Sequence, residues 1–114
     1  MSAVTAQDWI AAWNSHDLDA ILAHYAQEIV FVSPASTRIT GDPTGRVVGK
    51  AALRLYWGKA LAGAQDLTFT LRKVFRGPDS LAIAYHSSRT GGEVVEVLRF
   101  GPDGLVVEAA AYYE

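Results

Sequence analysis

The chain has 114 residues, which is enough for one domain with a substantial core and too few for two. Its residues are 50% hydrophobic, its formal charge is −2 and it has no cysteine. That composition argues against disorder, a nucleic-acid-binding surface, disulfides and cysteine-ligated metal sites. The sequence also lacks a signal-like or membrane-spanning apolar stretch, so we expect a cytoplasmic protein with no membrane or nucleic-acid partner.

Three helices are predicted before residue 63. Thr5 can cap a first helix that runs to about Trp13, and Asp17 can cap a second in the same way. The apolar residues of the second helix recur at helical spacing: Leu18, Ile21, Leu22 and Tyr25. The third helix, from Lys50 to Ala62, has the most regular pattern and ends at Gly63.

Five strands are predicted. A short apolar run from Ile29 to Val32 forms the first and leads directly into Ser33 and Pro34. Four more strands follow the third helix, near residues 67–75, 81–88, 93–100 and 105–113, and glycine-rich turn signals separate them. The alternation of the first of these four breaks at Lys73, which predicts a bulge. Short connections between successive strands predict an antiparallel meander.

The segment from Pro34 to Gly49 shows neither pattern and is rich in Ser, Thr, Pro and Gly. We predict a long loop there, and a loop of that length in a small domain is usually functional or mobile. Arg38 and Arg46 lie within it. They either reach over the mouth of a pocket or lie solvated on the surface.

Glu96 is the first candidate for a catalytic residue. Strand alternation places it on the same face as Val94, Leu98 and Phe100, and burial of a carboxylate among apolar side chains raises its pKa. Such a group is a candidate proton donor or acceptor. The alternative is a structural ion pair with an arginine of the same region, Arg89 or Arg99.

His86 is the second candidate. It faces the cavity together with small residues if Ala82 and Ala84 point inward, and it faces outward if Leu81 and Ile83 do. The other two histidines, His16 and His24, are interpreted as surface or capping residues. No spacing of His, Asp and Glu is typical of a metal site, so we expect neither a metal nor another cofactor.

Several local strings agree in order and position with one known superfamily. The first strand closes in a Ser-Pro step, GRVVGK precedes the third helix, RFGPDGLV spans the last turn, and the chain ends in an AYY strand. In these features the chain resembles the nuclear transport factor 2-like superfamily, in its SnoaL-like and ketosteroid-isomerase-like branch. The resemblance implies a cone: a strongly curved sheet wrapped around the helices, an apolar cavity inside it, and a homodimer formed through the sheet.

The catalytic positions of ketosteroid isomerase carry over only in part. The resemblance places the aspartate base at Ser33, the oxyanion tyrosine at Trp9 and the protonated aspartate at Glu96. A serine hydroxyl cannot abstract a proton from carbon near neutral pH, and an indole N–H donates but does not ionise. We therefore expect no steroid isomerisation by that mechanism. The resemblance also implies that aromatic residues line the cavity, at Tyr25, Trp57 and Tyr113.

We therefore predict one α+β domain over residues 1–114, with three helices packed on a strongly curved, mainly antiparallel sheet. Its cavity is predicted to be walled by apolar and aromatic residues, with Ser33 beside them: Trp9, Trp13, Tyr25, Phe31, Trp57, Leu98 and Tyr113. In the first functional hypothesis, the protein is a SnoaL-like enzyme that carries out cofactor-independent proton transfer on an apolar small molecule, as an isomerase, cyclase or dehydratase. Glu96 is then the acid or base, and His86 or Ser33 orients the ligand.

Two alternatives remain open. The protein is a non-catalytic ligand-binding or dimerisation module if it has lost the base at position 33. It serves protein interaction alone if aromatic side chains fill the cone. In each case we expect a homodimer, because apolar residues are predicted on the convex face of the sheet. The residues expected to cover one another there are Val95, Val97, Val106 and Ala110.

Overall fold

A computed structural model describes residues 3–114. Over these residues the chain forms an α+β fold of four helices and six strands, one helix and one strand more than predicted. The helices are α1 (Ala6–Ser15), α2 (Leu18–Leu22), α3 (Pro34–Thr40) and α4 (Lys50–Ala62). The strands are β1 (Tyr25–Val32), β2 (Arg46–Val48), β3 (Phe69–Arg76), β4 (Ser80–Ser87), β5 (Gly92–Phe100) and β6 (Val106–Tyr113).

The six strands form one sheet in the order β2-β1-β6-β5-β4-β3. Strands β3 to β6 form the predicted antiparallel meander, and β2 pairs antiparallel with β1. The pairing of β1 with β6 is parallel, which makes the sheet mixed but mainly antiparallel. This pairing brings the strand that follows α2 beside the last strand of the chain. The predicted α+β cone architecture is confirmed, with the helix number corrected to four.

The first two helices begin at the predicted caps. The Thr5 hydroxyl accepts a hydrogen bond from the Asp8 amide at 3.1 Å, and the Asp17 carboxylate accepts one from the Ala20 amide at 3.2 Å. The second helix is shorter than its pattern suggests. Tyr25 was predicted on the helix face, yet it begins β1. Its burial was nevertheless correct, because its side chain is 0% exposed.

The segment predicted as a long loop is ordered as α3, a turn and β2. Ser33 caps α3 by accepting a hydrogen bond from the Ala35 amide at 3.2 Å, and Pro34 occupies the first turn. The helix ends at Gly41, whose φ of 80° a residue with a side chain rarely adopts. The Ser33 amide then donates to the Gly45 carbonyl at 3.0 Å, which closes the segment back on itself. Local hydrogen bonds order this segment, although its sequence shows no hydrophobic periodicity from which a helix or strand would be predicted.

Irregular pairings along the strands change which side chains face the core. The predicted bulge in β3 is confirmed by a register shift between Leu71 and Lys73. A second shift lies between Arg99 and Phe100, opposite Val106 and Glu108, so β6 has an extra residue there. The prediction that Val106 lies on the convex face is therefore wrong, since Val106 is 0% exposed and belongs to the core.

The core fills the space between the helices and the concave face of the sheet. α1 packs on β3, and α4 packs on β1. The opposite, outer face of the sheet carries partly exposed apolar residues, among them Val95 and Tyr112. Within residues 3–114, no helix is long and apolar enough to cross a membrane.

Candidate active site in the cone

A cavity of about 60 Å³ opens between α1, α4 and the concave face of the sheet. Pockets for drug-sized ligands are larger, roughly 300–1,000 Å³. The space therefore admits a small molecule or the end of a larger one. Its walls are mainly aromatic and apolar, with a few polar groups: Trp9, Trp13, Phe31, Trp57, Ala60, Leu67, Phe69, Tyr85, Ser87, Arg89, Thr90, Val94, Glu96, Ala111 and Tyr113.

A cluster of aromatic rings forms the inner wall. Trp13 of α1 meets Trp57 of α4 edge to face, with 4.9 Å between ring centroids. Phe69 of β3 lies against Tyr85 of β4 at 4.3 Å, and it stacks on Trp9 at 5.9 Å. Contacts of this kind stabilise a fold beyond the area that they bury.

Asn14 fixes the position of this wall relative to the sheet. Its side-chain amide donates to the Phe69 carbonyl at 2.9 Å, and its side-chain oxygen accepts from the Phe69 amide at 2.7 Å. The His16 ring is also hydrogen-bonded to the Leu67 carbonyl, at 2.7 Å. Through these bonds α1 holds the start of β3 at the edge of the cavity.

Glu96 is a buried carboxyl group in the cavity wall. Its residue is 4% exposed, and Oε1 accepts a hydrogen bond from the Tyr85 hydroxyl at 3.2 Å. Burial raises the pKa of Glu96 to about 8, and the Tyr85 hydrogen bond opposes that rise only in part. Near neutral pH the group is therefore mostly a carboxylic acid, able to donate a hydrogen bond or a proton.

The neighbouring phenols remain protonated. Burial, followed by the nearby Glu96 carboxyl, raises the pKa of both Tyr85 and Tyr25. The Tyr25 hydroxyl accepts a hydrogen bond from the Trp9 indole at 2.9 Å. In contrast, the Trp13 Nε1–H is buried and has no hydrogen-bond partner among residues 3–114. A buried donor without a partner is costly, so Trp13 contributes an unsatisfied polar group to the packing of this wall.

The mouth of the cavity is polar. Arg89 and Thr90 belong to the turn between β4 and β5, and both are exposed. Tyr113, near the end of β6, is 37% exposed and lies beside them on the lining. Among residues 3–114, no group of His, Cys, Asp and Glu side chains is arranged to hold a metal ion.

A family model, described as the SnoaL-like domain, matches residues 6–109. The chain belongs to the SnoaL-like family. The match confirms the predicted resemblance and, with it, membership of the nuclear transport factor 2-like superfamily. No curated protein sequence matches the chain significantly.

Solved structures of SnoaL-like and related proteins share the fold. A SnoaL-like protein of unknown function from Burkholderia thailandensis is 45% identical, with a TM-score of 0.92 over 96% of this chain and 90% of that one. Rv0760c from Mycobacterium tuberculosis is 25% identical, with a TM-score of 0.75 over 96% and 87%. TerC, co-crystallised with polyporic acid, is 14% identical, with a TM-score of 0.74 over 95% and 87%, a similarity of fold alone.

The SnoaL-like cavity brings together six of the residues proposed from the sequence: Trp9, Trp13, Phe31, Trp57, Glu96 and Tyr113. Tyr25 and Leu98 are 0% exposed and lie in the core behind this lining. The carboxyl of Glu96 bonds to Tyr85, and within residues 3–114 it forms no salt bridge with Arg89 or Arg99; Arg99 pairs with Glu108 on the outer face of the sheet.

His86 does not line the cavity. Ile83 and Tyr85 are the inward residues of β4, so the alternation sends His86 to the outer face. There its Nδ1 lies 2.7 Å from the Glu93 carboxylate, which also binds Arg72. Of the two orientations considered for His86, the structure therefore has the outward one.

Ser33 is also absent from the cavity lining. It is 1% exposed, and its hydroxyl, besides capping α3, donates to the Tyr113 hydroxyl at 3.3 Å. These hydrogen bonds order the start of α3 next to Tyr113. The loop arginines Arg38 and Arg46 do not line the cavity either.

Nine lining residues were not proposed as site residues from the sequence, among them Phe69, Tyr85 and Arg89. Strand alternation could have identified Tyr85, since it lies two residues from Ile83 and therefore points to the same face of β4. Arg89 lies in a turn, where no periodic pattern indicates the direction of a side chain. Only the three-dimensional structure brings it to the cavity.

Proposed function

We propose that this SnoaL-like protein is a small-molecule enzyme in which Glu96 transfers a proton to and from an oxygen of the bound substrate. The observation that carries the proposal is the buried Glu96 carboxyl in the wall of an aromatic cavity, with a pKa of about 8. A general acid works best when its pKa lies near the working pH. The nearly dry surroundings also strengthen the hydrogen bond that the acid makes to a substrate oxygen.

The simplest reaction of this kind is enolisation of a ketone. The ionised fraction of Glu96 removes a proton from the carbon adjacent to the carbonyl and delivers it to the carbonyl oxygen, which gives the enol and restores the carboxylate. The reverse step returns a proton from the enol hydroxyl to carbon through Glu96, and exchange of the enol proton with solvent brings deuterium to the carbon. Isomerisation, cyclisation and dehydration of carbonyl compounds each contain such a step.

The experiment is hydrogen exchange of small cyclic ketones in heavy water, followed by loss of the α-proton signals in NMR spectra. We expect wild-type protein to accelerate exchange over buffer, and Glu96→Gln to reduce the rate by roughly 100-fold, the usual contribution of a general acid or base. Glu93→Gln is the matched control, because Glu93 lies three residues away and pairs with His86 on the outer face. Exchange that is unaffected by Glu96→Gln would refute the proposal.

A second candidate function, ligand binding without catalysis, is favoured by the small volume of the cavity and by the serine at position 33. TerC, which shares the fold, was co-crystallised with polyporic acid. The chain has three tryptophans, and all three line the cavity, so their fluorescence reports occupancy. Saturable quenching of that fluorescence by a ketone, without exchange, would support the binding module over the enzyme.

A further inference from the structure

We infer that the ligand of this cavity is a small organic carboxylate, whose acid group binds Arg89 and Thr90 at the mouth while its apolar, carbonyl-bearing end reaches toward Glu96. The inference rests on the proposed function, because it names the substrate class of the same site. It follows from the distribution of charge and of hydrogen-bond donors around the cavity.

Arg89 is a cation without a counterion in this part of the molecule. Among residues 3–114 its guanidinium makes no salt bridge and no side-chain hydrogen bond. Two carboxylates at the same end of β5 and β6 have other partners. Glu93 binds His86 and Arg72, and Oε1 of Glu114 accepts a hydrogen bond from the Glu93 amide at 3.2 Å.

Arg89 and Glu96 lie at different depths of the cavity. Arg89 is exposed in the turn between β4 and β5, whereas Glu96 is 4% exposed in the wall that β5 forms. A ligand that meets both groups therefore needs one polar group at the mouth and another deeper in the cavity.

The polar groups on the lining are mainly donors. Arg89 and Thr90 donate at the mouth, and the neutral Glu96 carboxyl donates from the wall. A ligand rich in acceptors matches this set. A carboxylate suits the single guanidinium, because charge-assisted hydrogen bonds to a planar acid are strong and directional. A doubly charged phosphate would require further cations, and the lining has only Arg89.

The aromatic walls and the volume limit the rest of the ligand. About 60 Å³ accommodates a few heavy atoms, so the part inside the cone is slender and apolar. The carboxylate stays at the polar mouth, where its desolvation is incomplete. With the carboxylate at the mouth, no anion is buried next to Glu96. Burial of a charge there would cost more free energy than the ligand's contacts would contribute.

Levulinate is a suitable probe, because it has a ketone at one end and a carboxylate at the other. Levulinamide, which has the same shape but no charge, is the control probe. We expect wild-type protein to bind levulinate at least tenfold more tightly than levulinamide, as measured by tryptophan fluorescence and by the shift of the Trp13 indole N–H signal in NMR spectra. Arg89→Gln should abolish the difference. The exposed position of Arg89 makes this variant compatible with folding, and thermal melting checks that.

Arg99→Gln is the matched control, since it removes the same charge from the outer face and should retain the preference for levulinate. Any of three results would overturn the inference: equal affinities of the wild-type protein for the two probes, a preference for levulinate that survives Arg89→Gln, or no binding of either probe at millimolar concentration. If only the proposed catalytic function is wrong, the result is different: levulinate is still preferred in an Arg89-dependent way, but no Glu96-dependent hydrogen exchange is seen. Exchange without the preference would instead refute the carboxylate assignment alone.

Discussion

Burial of Glu96 couples the folding of this domain to pH. Its pKa rises from 4.5, the ordinary value, to about 8 in the folded state. Between these values the folded chain holds a proton that the unfolded chain releases, so the free energy of unfolding decreases as pH rises through this window and levels off above it. The contribution of this group changes by at most ~1.4 kcal/mol per pH unit.

We therefore predict that Glu96→Gln flattens that decrease and leaves the fold intact, since the glutamine amide can still accept a hydrogen bond from Tyr85. Urea unfolding across the window, followed by tryptophan fluorescence, measures the effect. Glu93→Gln should not flatten the decrease, because Glu93 is exposed and its pKa is lowered by His86. A carboxyl carbon of Glu96 that titrates at or below its ordinary pKa in NMR spectra would contradict the prediction.

Steroid isomerase activity is predicted to be absent. The Ser33 hydroxyl is not a base for carbon acids, and it already caps α3 and bonds to Tyr113. A cavity of about 60 Å³ is also too small for a four-ring substrate. The measurement is turnover of a β,γ-unsaturated steroid ketone, and an enzymatic rate with the wild-type protein would contradict both arguments.

The sequence predicts residues inside regular strands better than residues in turns. Alternation in β5 placed Glu96 inward together with Val94 and Leu98, and all three are buried. The same rule left His86 undecided, since either parity of β4 offered plausible neighbours. Packing of Tyr85 against Phe69 and Trp9 decides it, and those contacts join residues far apart in sequence.

At the scale of elements, the segment after β1 shows what hydrophobic patterns miss. Its helix α3 contains Ser, Thr and Ile, residues with modest helix propensity. A different signal was present: Ser33 and Pro34 at its start and Gly41 at its end, the usual arrangement of a cap, a proline in the first turn and a terminal glycine. Strand β2 has three residues and becomes a strand only because β1 is beside it.

Gly45 is predicted to be indispensable to this segment. Its φ is 69°, and a Cβ atom there would lie 2.5 Å from the Ser33 carbonyl oxygen. Gly91 in the β4–β5 turn has the same φ of 69° but nothing within 4 Å of a Cβ atom. Gly91→Ala should therefore cost only the strain of the left-handed conformation, about 1–2 kcal/mol.

Gly45→Ala should cost ~1–3 kcal/mol more than Gly91→Ala, because the backbone of Ser33 must move and its hydrogen bond to Gly45 weakens. The free energies of unfolding of both variants, measured in urea, test the difference. Equal values would show that the segment relaxes around the added methyl group, and that the ordered α3–β2 arrangement contributes little to stability.

At the scale of the whole molecule, the sheet has two very different faces. The concave face is covered by α1 and α4 and encloses the cavity. The outer face carries a groove of about 370 Å³, with apolar side chains from several strands and the ion pair of Arg99 with Glu108. Its lining is Val30, Val32, Ser80, Val97, Arg99, Glu108, Ala109, Ala110 and Tyr112. Exposed apolar side chains bordered by charged residues, as in this groove, are typical of an interface.

The prediction that belongs to this scale is a homodimer formed through the outer face. A two-fold axis would place equivalent apolar strips against each other, and small residues such as Ala110 allow the two sheets to approach closely. Light scattering at tens of micromolar should give twice the chain mass of 12.3 kDa. Val97→Lys places a charge in the groove and should shift the protein toward monomer. Leu55→Lys on α4, where the native side chain is 71% exposed, should not. A monomeric wild-type protein under these conditions would refute the prediction.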